Sequence, residues 1–178
     1  LVTGNYGRPG TGGYPMRGHN NVQGASDFGC LKNMYPGYEK VDDDAVREKW
    51  ARAWEVDKEC LSPEVGADNF TMVQDADTEK IRAMYVIGEE TAFSDSHTND
   101  VHTGFEKLEF LVVQDMFLSR TAQFADVVLP ACASIEREGS FVNTERRIQR
   151  FYEVMPPLGN SRPDWQILTE LARRMGHD

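Results

Sequence analysis

The sequence predicts an α/β fold: a doubly wound, mainly parallel sheet with a small hairpin-and-helix appendage. Three observations predict it. Three short apolar runs, at 82–88, 110–113 and 127–129, have the length and continuity of strands buried on both faces. Stretches with helical spacing separate them, and strand–helix–strand alternation builds a parallel sheet. The 178 residues suffice for one ordinary domain, or a domain plus an appendage, and can bury about two-thirds of the unfolded surface.

The elements follow in order. Leu1-Val-Thr-Gly4 reads as the last turn of a helix ending at a glycine cap, so the chain is expected to be an excerpt of a larger protein. Residues 4–37 carry nine glycines and Pro9, Pro15 and Pro36, interleaved with aromatics and Asn. A loop of this length and composition is expected to be ordered and functional. The pattern from Asp44 to Trp54 is an amphipathic helix with an Asp cap. Asp68 caps a second helix whose apolar face is Phe70, Met72, Val73 and Ala76. A helix over 98–107 separates the first two strands, and Ser119 caps a short helix through Phe124 before the third. Residues 140–143 and 147–151 alternate as a hairpin, and Pro163 opens a helix from Asp164 to Met175 that Gly176 ends. Three segments result: a glycine-rich loop at 1–37, the α/β region at 38–133, and the hairpin with its helix at 134–178.

Charge and composition exclude several functions. Nineteen Lys and Arg against 29 Asp and Glu give a net charge of −10, which argues against a nucleic-acid surface. No apolar run approaches the roughly 20 residues of a membrane span, and no secretory signal pattern is visible. Arg outnumbers Lys 13 to 6; the acidity suits a solvated surface or, as a sharper reading, a high-salt cytoplasm. Cys30, Cys60 and Cys132 form no CxxC, so this chain alone builds neither a zinc site nor an iron–sulfur cluster. Three scattered cysteines fit buried, inert thiols in a reducing compartment. The histidines form no metal-ligand set.

Chemistry should gather at the carboxyl ends of the strands. Those ends are Gly88-Glu89-Glu90, Gln114-Asp115 and Leu129-Pro130-Ala131. Carboxylates there suit the N–H edge of a guanine or a pair of ribose hydroxyls; each could equally cap a following helix. No phosphate-binding G-x-G-x-x-G or Walker sequence is present. In the glycine-rich loop, Arg17 and His19 stand two residues apart. Arg can grip a carboxylate with two parallel hydrogen bonds and His can relay a proton, while the plainer reading is a loop-stapling Arg and a partly exposed His. The charges from Glu136 to Arg147 read as a solvated hairpin.

Ordered strings then narrow the field. They are Thr3-Gly-Asn-Tyr-Gly-Arg-Pro-Gly-Thr-Gly, Arg17-Gly-His-Asn-Asn-Val-Gln-Gly-Ala-Ser-Asp27, Tyr35-Pro-Gly-Tyr-Glu-Lys-Val41, Val113-Gln-Asp-Met-Phe117, Ala125-Asp-Val-Val-Leu-Pro130 and Glu138-Gly-Ser-Phe-Val-Asn-Thr-Glu-Arg-Arg147. Over about residues 1–176 the chain resembles molybdopterin oxidoreductases, and within them the catalytic alpha subunit of formate dehydrogenase. The Arg17 string is specific, whereas Ala125–Pro130 is shared across the superfamily. The resemblance implies a dinucleotide-binding, Rossmann-like domain and oxidation of formate to carbon dioxide. It implies molybdenum or tungsten held by two molybdopterin guanine dinucleotides, and a [4Fe–4S] cluster. The metal and cluster ligands match no residue here and are expected outside this chain.

Carried over residue by residue, the resemblance makes Arg17 the arginine that holds the formate carboxylate, with His19 beside it as a second catalytic candidate. Gly18 and Asn20 are implied to lie against the pterin. Gly88, Glu89, Glu90, Gln114, Asp115, Thr121 and Asp126 are implied to line the dinucleotide pocket. Two positions depart from the family's pattern: His19 stands where Gln is common, and Glu90 where Asn is common, so Glu90 is expected to face ribose or guanine rather than phosphate. The implied partners are the remainder of the same polypeptide, with its iron–sulfur and second dinucleotide-binding domains, and electron-transfer subunits. The expected compartment is the cytoplasm, and the chain alone is expected to be inactive. Two alternatives are the large iron–sulfur subunit of a NADH-quinone oxidoreductase, and a nitrate or other oxo-anion reductase. Arg17 with Asn20-Asn21 counts against the first, and the Tyr35–Val41 string against the second.

Overall fold

The computed structural model of the chain describes residues 2–16 and 18–177. In chain order the helices and strands are α1 (Val22–Asp27), β1 (Met34–Tyr35), β2 (Glu39–Lys40), α2 (Asp44–Trp54), α3 (Asn69–Asp77), β3 (Ala83–Ile87), α4 (Thr91–Ser94), α5 (Thr98–Lys107), β4 (Phe110–Asp115), β5 (Val127–Pro130), β6 (Gly139–Val142), β7 (Ile148–Phe151) and α6 (Asp164–Arg174). Short 3-10 turns occupy Lys58–Cys60, Thr121–Phe124 and Ser134–Glu136. The chain divides into two compact units, residues 1–66 with 139–151 and residues 67–138 with 152–178. These units cut across the three expected segments: the hairpin groups with the N-terminal loop, and α6 with the sheet.

The second unit holds the parallel sheet, in the order β3-β4-β5. Strand β4 is paired on both edges, with Val112 opposite Tyr85 on one side and Val127 on the other. Its Leu111 and Val113 are fully buried, and with Val73, Val86, Ala92, Val101, Phe105 and Ala122 they form the core. The strand runs two residues beyond the expected 110–113, because Gln114 pairs with Ile87 and Leu129, and Asp115 with Pro130. Polarity ended the apolar run in the sequence, yet the backbone ladder does not require apolar side chains.

Helix α3 begins where expected: Asp68 Oδ1 accepts from Thr71 N–H at 2.9 Å. Val73 and Ala76 are buried, whereas Phe70 is exposed and leaves the expected apolar face. Helix α5 crosses α3 closely at Gly104, where a Cβ would stand 2.9 Å from the Val73 carbonyl oxygen. The Ser119 hydroxyl accepts from Ala122 N–H at 3.2 Å, capping a 3-10 turn where a short helix was expected. Helix α6 starts after Pro163, as the proline predicts.

In the first unit, Asp43 caps α2 by accepting from Ala45 and Val46 N–H. The Tyr35–Val41 string holds this helix. Tyr35 is buried and stacks on Trp50, with ring centroids 6.2 Å apart, and meets Trp54 edge-on at 5.8 Å. Glu39 accepts from Lys49 Nζ at 2.7 Å and from Trp50 Nε1 at 2.8 Å. Helix α1 was not expected, because a six-residue segment containing Gly24 carries no clear helical pattern. Gly24 is required there: a Cβ would collide with the Asn21 side chain. Strands β6 and β7 pair antiparallel within a residue of the expected hairpin, and Phe141 stacks on Phe151 at 4.5 Å.

Two predictions follow from this packing. Gly104→Val forces a branched side chain against the Val73 carbonyl, and should lower stability by about 1–3 kcal/mol in urea denaturation, as overpacking does. The carboxyls of Glu39, Asp44 and Glu109 are held below the ordinary carboxylate range by hydrogen bonds and charge from Lys49, Lys58 and Arg82. A carboxyl lowered by folding stabilises at pH above its unfolded value and loses that contribution as pH falls through its folded value. The urea midpoint should therefore stay level from pH 7 to about 5 and fall below about 4.

Candidate functional site

The carboxyl ends of β3, β4 and β5 open onto one side of the second unit. Chain direction explains this: parallel strands bring their ends, and the loops that follow, to the same edge of the sheet. A cleft of about 310 Å³ lies there, lined among others by Met116 and Phe117 after β4, Pro130 at the end of β5 and Ala131 after it, and Glu136 of the 3-10 turn. Phe117 is 72% exposed, an aromatic face presented to solvent.

Each acid at these ends is engaged in holding a loop. After β3, Gly88 takes φ +62°, and its N–H donates to the Gln114 carbonyl at 2.9 Å. A Cβ on Gly88 would meet nothing within 4 Å, so open space faces it. Glu90 Oε1 accepts from Thr121 N–H at 3.0 Å and from the Thr121 hydroxyl at 3.1 Å, and Oε2 accepts from Arg120 N–H at 3.1 Å. The Thr121 hydroxyl in turn accepts from Ala92 N–H at 3.0 Å. Glu90 thus caps a turn 30 residues downstream with three donors converging on one carboxylate, where it was expected to face ribose or guanine. Glu89 accepts from the Ser94 hydroxyl at 3.2 Å. Asp115 Oδ1 accepts from Met116 N–H at 2.6 Å and starts the turn carrying Phe117. Asp126 extends the β4–β5 pairing, its Oδ2 accepting from Leu111 N–H at 2.7 Å.

Gln114 is fully buried. Its Oε1 accepts from the Tyr85 hydroxyl at 2.5 Å, and its Nε2 donates to Asp164 Oδ1 at 2.6 Å. Burial and the nearby Asp164 charge raise the Tyr85 hydroxyl's pKa, so it stays a donor. Cys132 is buried with a thiol pKa raised mainly by desolvation, which keeps it unreactive. Cys30 and Cys60, by contrast, are exposed, against the expectation of buried thiols. Among the described residues, no three His, Cys, Asp or Glu side chains are grouped to hold a metal ion.

In the first unit, Gly18, His19 and Asn20 are exposed, and His19 makes interactions of its own. Arg17 lies outside the described residues. The segment is pinned immediately afterwards. Asn21 takes the left-handed conformation at φ 59°, and its Oδ1 accepts from Val142 N–H of β6 at 2.9 Å. Gln23 donates to Asp27 Oδ1 and to the Tyr38 hydroxyl, tying α1 to the Tyr35–Val41 string.

Leu158, Asn160 and Ser161 also line the strand-end cleft, and the Ser161 hydroxyl donates to the Leu158 carbonyl at 2.8 Å. Among the described residues, no Lys or Arg lines the cleft. Arg120, with its guanidinium 4.2 Å from the Phe93 ring centroid, brings a cation to the loop that Glu90 holds. Sequence reasoning missed Arg120 and Asp164, and it read Glu136 as a charge of a solvated hairpin, whereas Glu136 is buried in the 3-10 turn before β6, where its carboxylate accepts from Ala133 N–H. The Pro163-Asp164 pair read only as a helix start, and a charge dense in its neighbourhood carries no signal of which loop it will face.

Residues 1–174 match the family model described as molybdopterin oxidoreductase. The chain belongs to the molybdopterin oxidoreductase family. It is 59% identical over 176 residues to "Probable oxidoreductase YjgC" of Bacillus subtilis, and 52% identical over 176 residues to "Putative formate dehydrogenase YrhE" of the same organism. A Staphylococcus haemolyticus relative with the latter type of name is 52% identical over 178 residues. Each match covers 99–100% of this chain and 18% of the relative, so the chain spans under a fifth of the length of these relatives. Among solved structures, acetylene hydratase from Pelobacter acetylenicus shares the fold, with a TM-score of 0.57 at 22% identity over 76% of this chain and 19% of that one. No described helix of this molybdopterin oxidoreductase chain is long and apolar enough to cross a membrane.

Asn21→Ala should orphan the Val142 N–H and strain a left-handed residue, costing about 1–3 kcal/mol and raising amide exchange at Val142. Asn21→Asp keeps the acceptor and should leave exchange near the starting rate.

Proposed function

We propose that this chain is part of the catalytic subunit of a formate dehydrogenase, oxidising formate to carbon dioxide. The observation that carries the reading is 52% identity across 99% of the chain to a relative named for that activity. The Arg17–Asp27 string lies inside the stretch matched by the family model.

In this reading Arg17 binds formate. A guanidinium keeps its charge at any working pH and offers two parallel N–H groups to a carboxylate, so it both admits and orients a small anion. His19 holds or passes a proton at an imidazole nitrogen beside it. Gly18 and Asn20 lie against the pterin, and the anchor from Asn21 to β6 holds that approach in place. Gly88, Glu89 and Asp115 face the guanosine end of a dinucleotide, while Glu90, Gln114, Thr121 and Asp126 hold the loops that shape its pocket. When bound, molybdenum or tungsten carried by two molybdopterin guanine dinucleotides supplies two-electron redox chemistry, and a [4Fe–4S] cluster with ligands outside this chain carries the electrons onward. The partners in this reading are the remainder of the polypeptide and electron-transfer subunits, in the cytoplasm; the isolated chain is inactive.

The test uses the full-length enzyme. Arg17→Ala should reduce kcat/KM for formate by about 100-fold or more with metal content unchanged, the scale expected when a fixed charge at the reacting centre is lost. Arg17→Lys should fall between. A metal-loaded wild-type enzyme that does not oxidise formate would sink the substrate assignment.

A further inference from the structure

We propose that Asp164 is a positioning residue for the strand-end cleft, bracing its two walls at once so that a purine nucleoside moiety is retained there. The inference rests on the dinucleotide reading given above. One wall of the cleft is the turn after β4, with Met116 and Phe117; the other is the turn after β5, ending at Glu136. Asp164, the first residue of α6, reaches toward both. Its Oδ1 accepts from the buried amide of Gln114 at 2.6 Å, and Gln114 immediately precedes the Asp115 carboxylate that sets the first turn. Its Oδ2 stands 3.9 Å from the buried Arg137 Nε, an attraction between charges without a hydrogen bond, and Arg137 immediately follows Glu136.

The brace is itself anchored. Arg162 N–H donates to the Pro130 carbonyl at 3.1 Å and Cys132 N–H donates to the Arg162 carbonyl at 3.0 Å, so the chain entering α6 continues the β5 ladder. Asp164 therefore starts from a fixed backbone two residues away. Only a carboxylate serves both arms together. One oxygen takes the neutral amide and the negative charge attracts the guanidinium. An amide at this position keeps the first arm and turns an N–H toward the second. The first-turn position also favours the charge, since the helix N-terminus carries positive partial charge. Glu136 completes the second wall from within, its Oε2 accepting from Ala133 N–H at 2.8 Å.

The experiment uses the full-length enzyme as wild type, Asp164→Ala, Asp164→Asn and Val73→Ala, a core change outside the cleft that lowers general stability. GMP released by acid hydrolysis is quantified per protein during dialysis, and hydrogen exchange is followed in the cofactor-depleted proteins. Asp164→Ala should lose GMP about tenfold faster than wild type, the scale of one strong hydrogen bond, with faster exchange at 115–118 and 131–137. Asp164→Asn should lose GMP at an intermediate rate and speed exchange at 131–137 alone. Val73→Ala should retain GMP as wild type does. Should Asp164→Ala fail to accumulate, Asp164→Asn decides the matter by the same comparison. GMP loss at the wild-type rate in the Asp164 variants, or equal loss in Val73→Ala, overturns the bracing role and leaves the dinucleotide reading standing. Wild-type enzyme without GMP overturns both.

Discussion

Strand β4 is the constraint on which the second unit depends. It is the central strand of the parallel sheet, paired along both edges, and its alternate residues are among the most buried of those described. Leu111 and Val113 place it in the core, and the ladder then fixes where β3 and β5 end. Because the strands are parallel, those ends fall on one side, and the loops carrying Gly88, Asp115 and Ala131 are brought together without any contact specific to a ligand. Gln114 shows the same constraint at the level of one side chain. A buried amide must find partners, and those partners, Tyr85 and Asp164, tie the end of the sheet to α6.

The acids at the strand ends serve first as brackets. Glu90, Asp115 and Asp126 each accept from backbone N–H groups of a loop or strand that would otherwise close on water. A carboxylate is suited to this because it accepts several donors at once, and bonds to a charged acceptor are stronger than neutral ones. Loops already held in place need not be ordered when a ligand binds, a cost that would subtract from affinity. The glycine-rich approach in the first unit is treated in the same way. Asn21, held left-handed and bonded to β6, pins the chain one residue past Asn20, and Gly24 leaves room for the Asn21 side chain.

Much of this was legible in the residues. The three strands, α2, α3, α5, α6 and the hairpin appear within a residue or two of where periodicity and capping residues put them, because each signal acts over a few neighbours. The family was legible too, in strings whose order no composition argument supplies. Local signals failed where structure is held from far away. In helix α1, Gly24 leaves room for the Asn21 side chain and Gln23 bonds the Tyr38 hydroxyl 15 residues on, and neither contact shows as a helical repeat. Phe70 had the spacing of a core residue yet faces solvent, since period alone does not say which side of a short helix is covered.

The sequence by itself determined the α/β class, the parallel strands, the caps and the family, because these rest on side-chain spacing and on ordered motifs. Only the tertiary structure decided what the polar residues do. Glu90 reaches Thr121 across 31 positions, and Gln114 reaches Asp164 across 50. An acid's partner is set by which backbone N–H the folded chain brings within about 3 Å, and that distance is a property of the packed sheet rather than of any stretch of sequence.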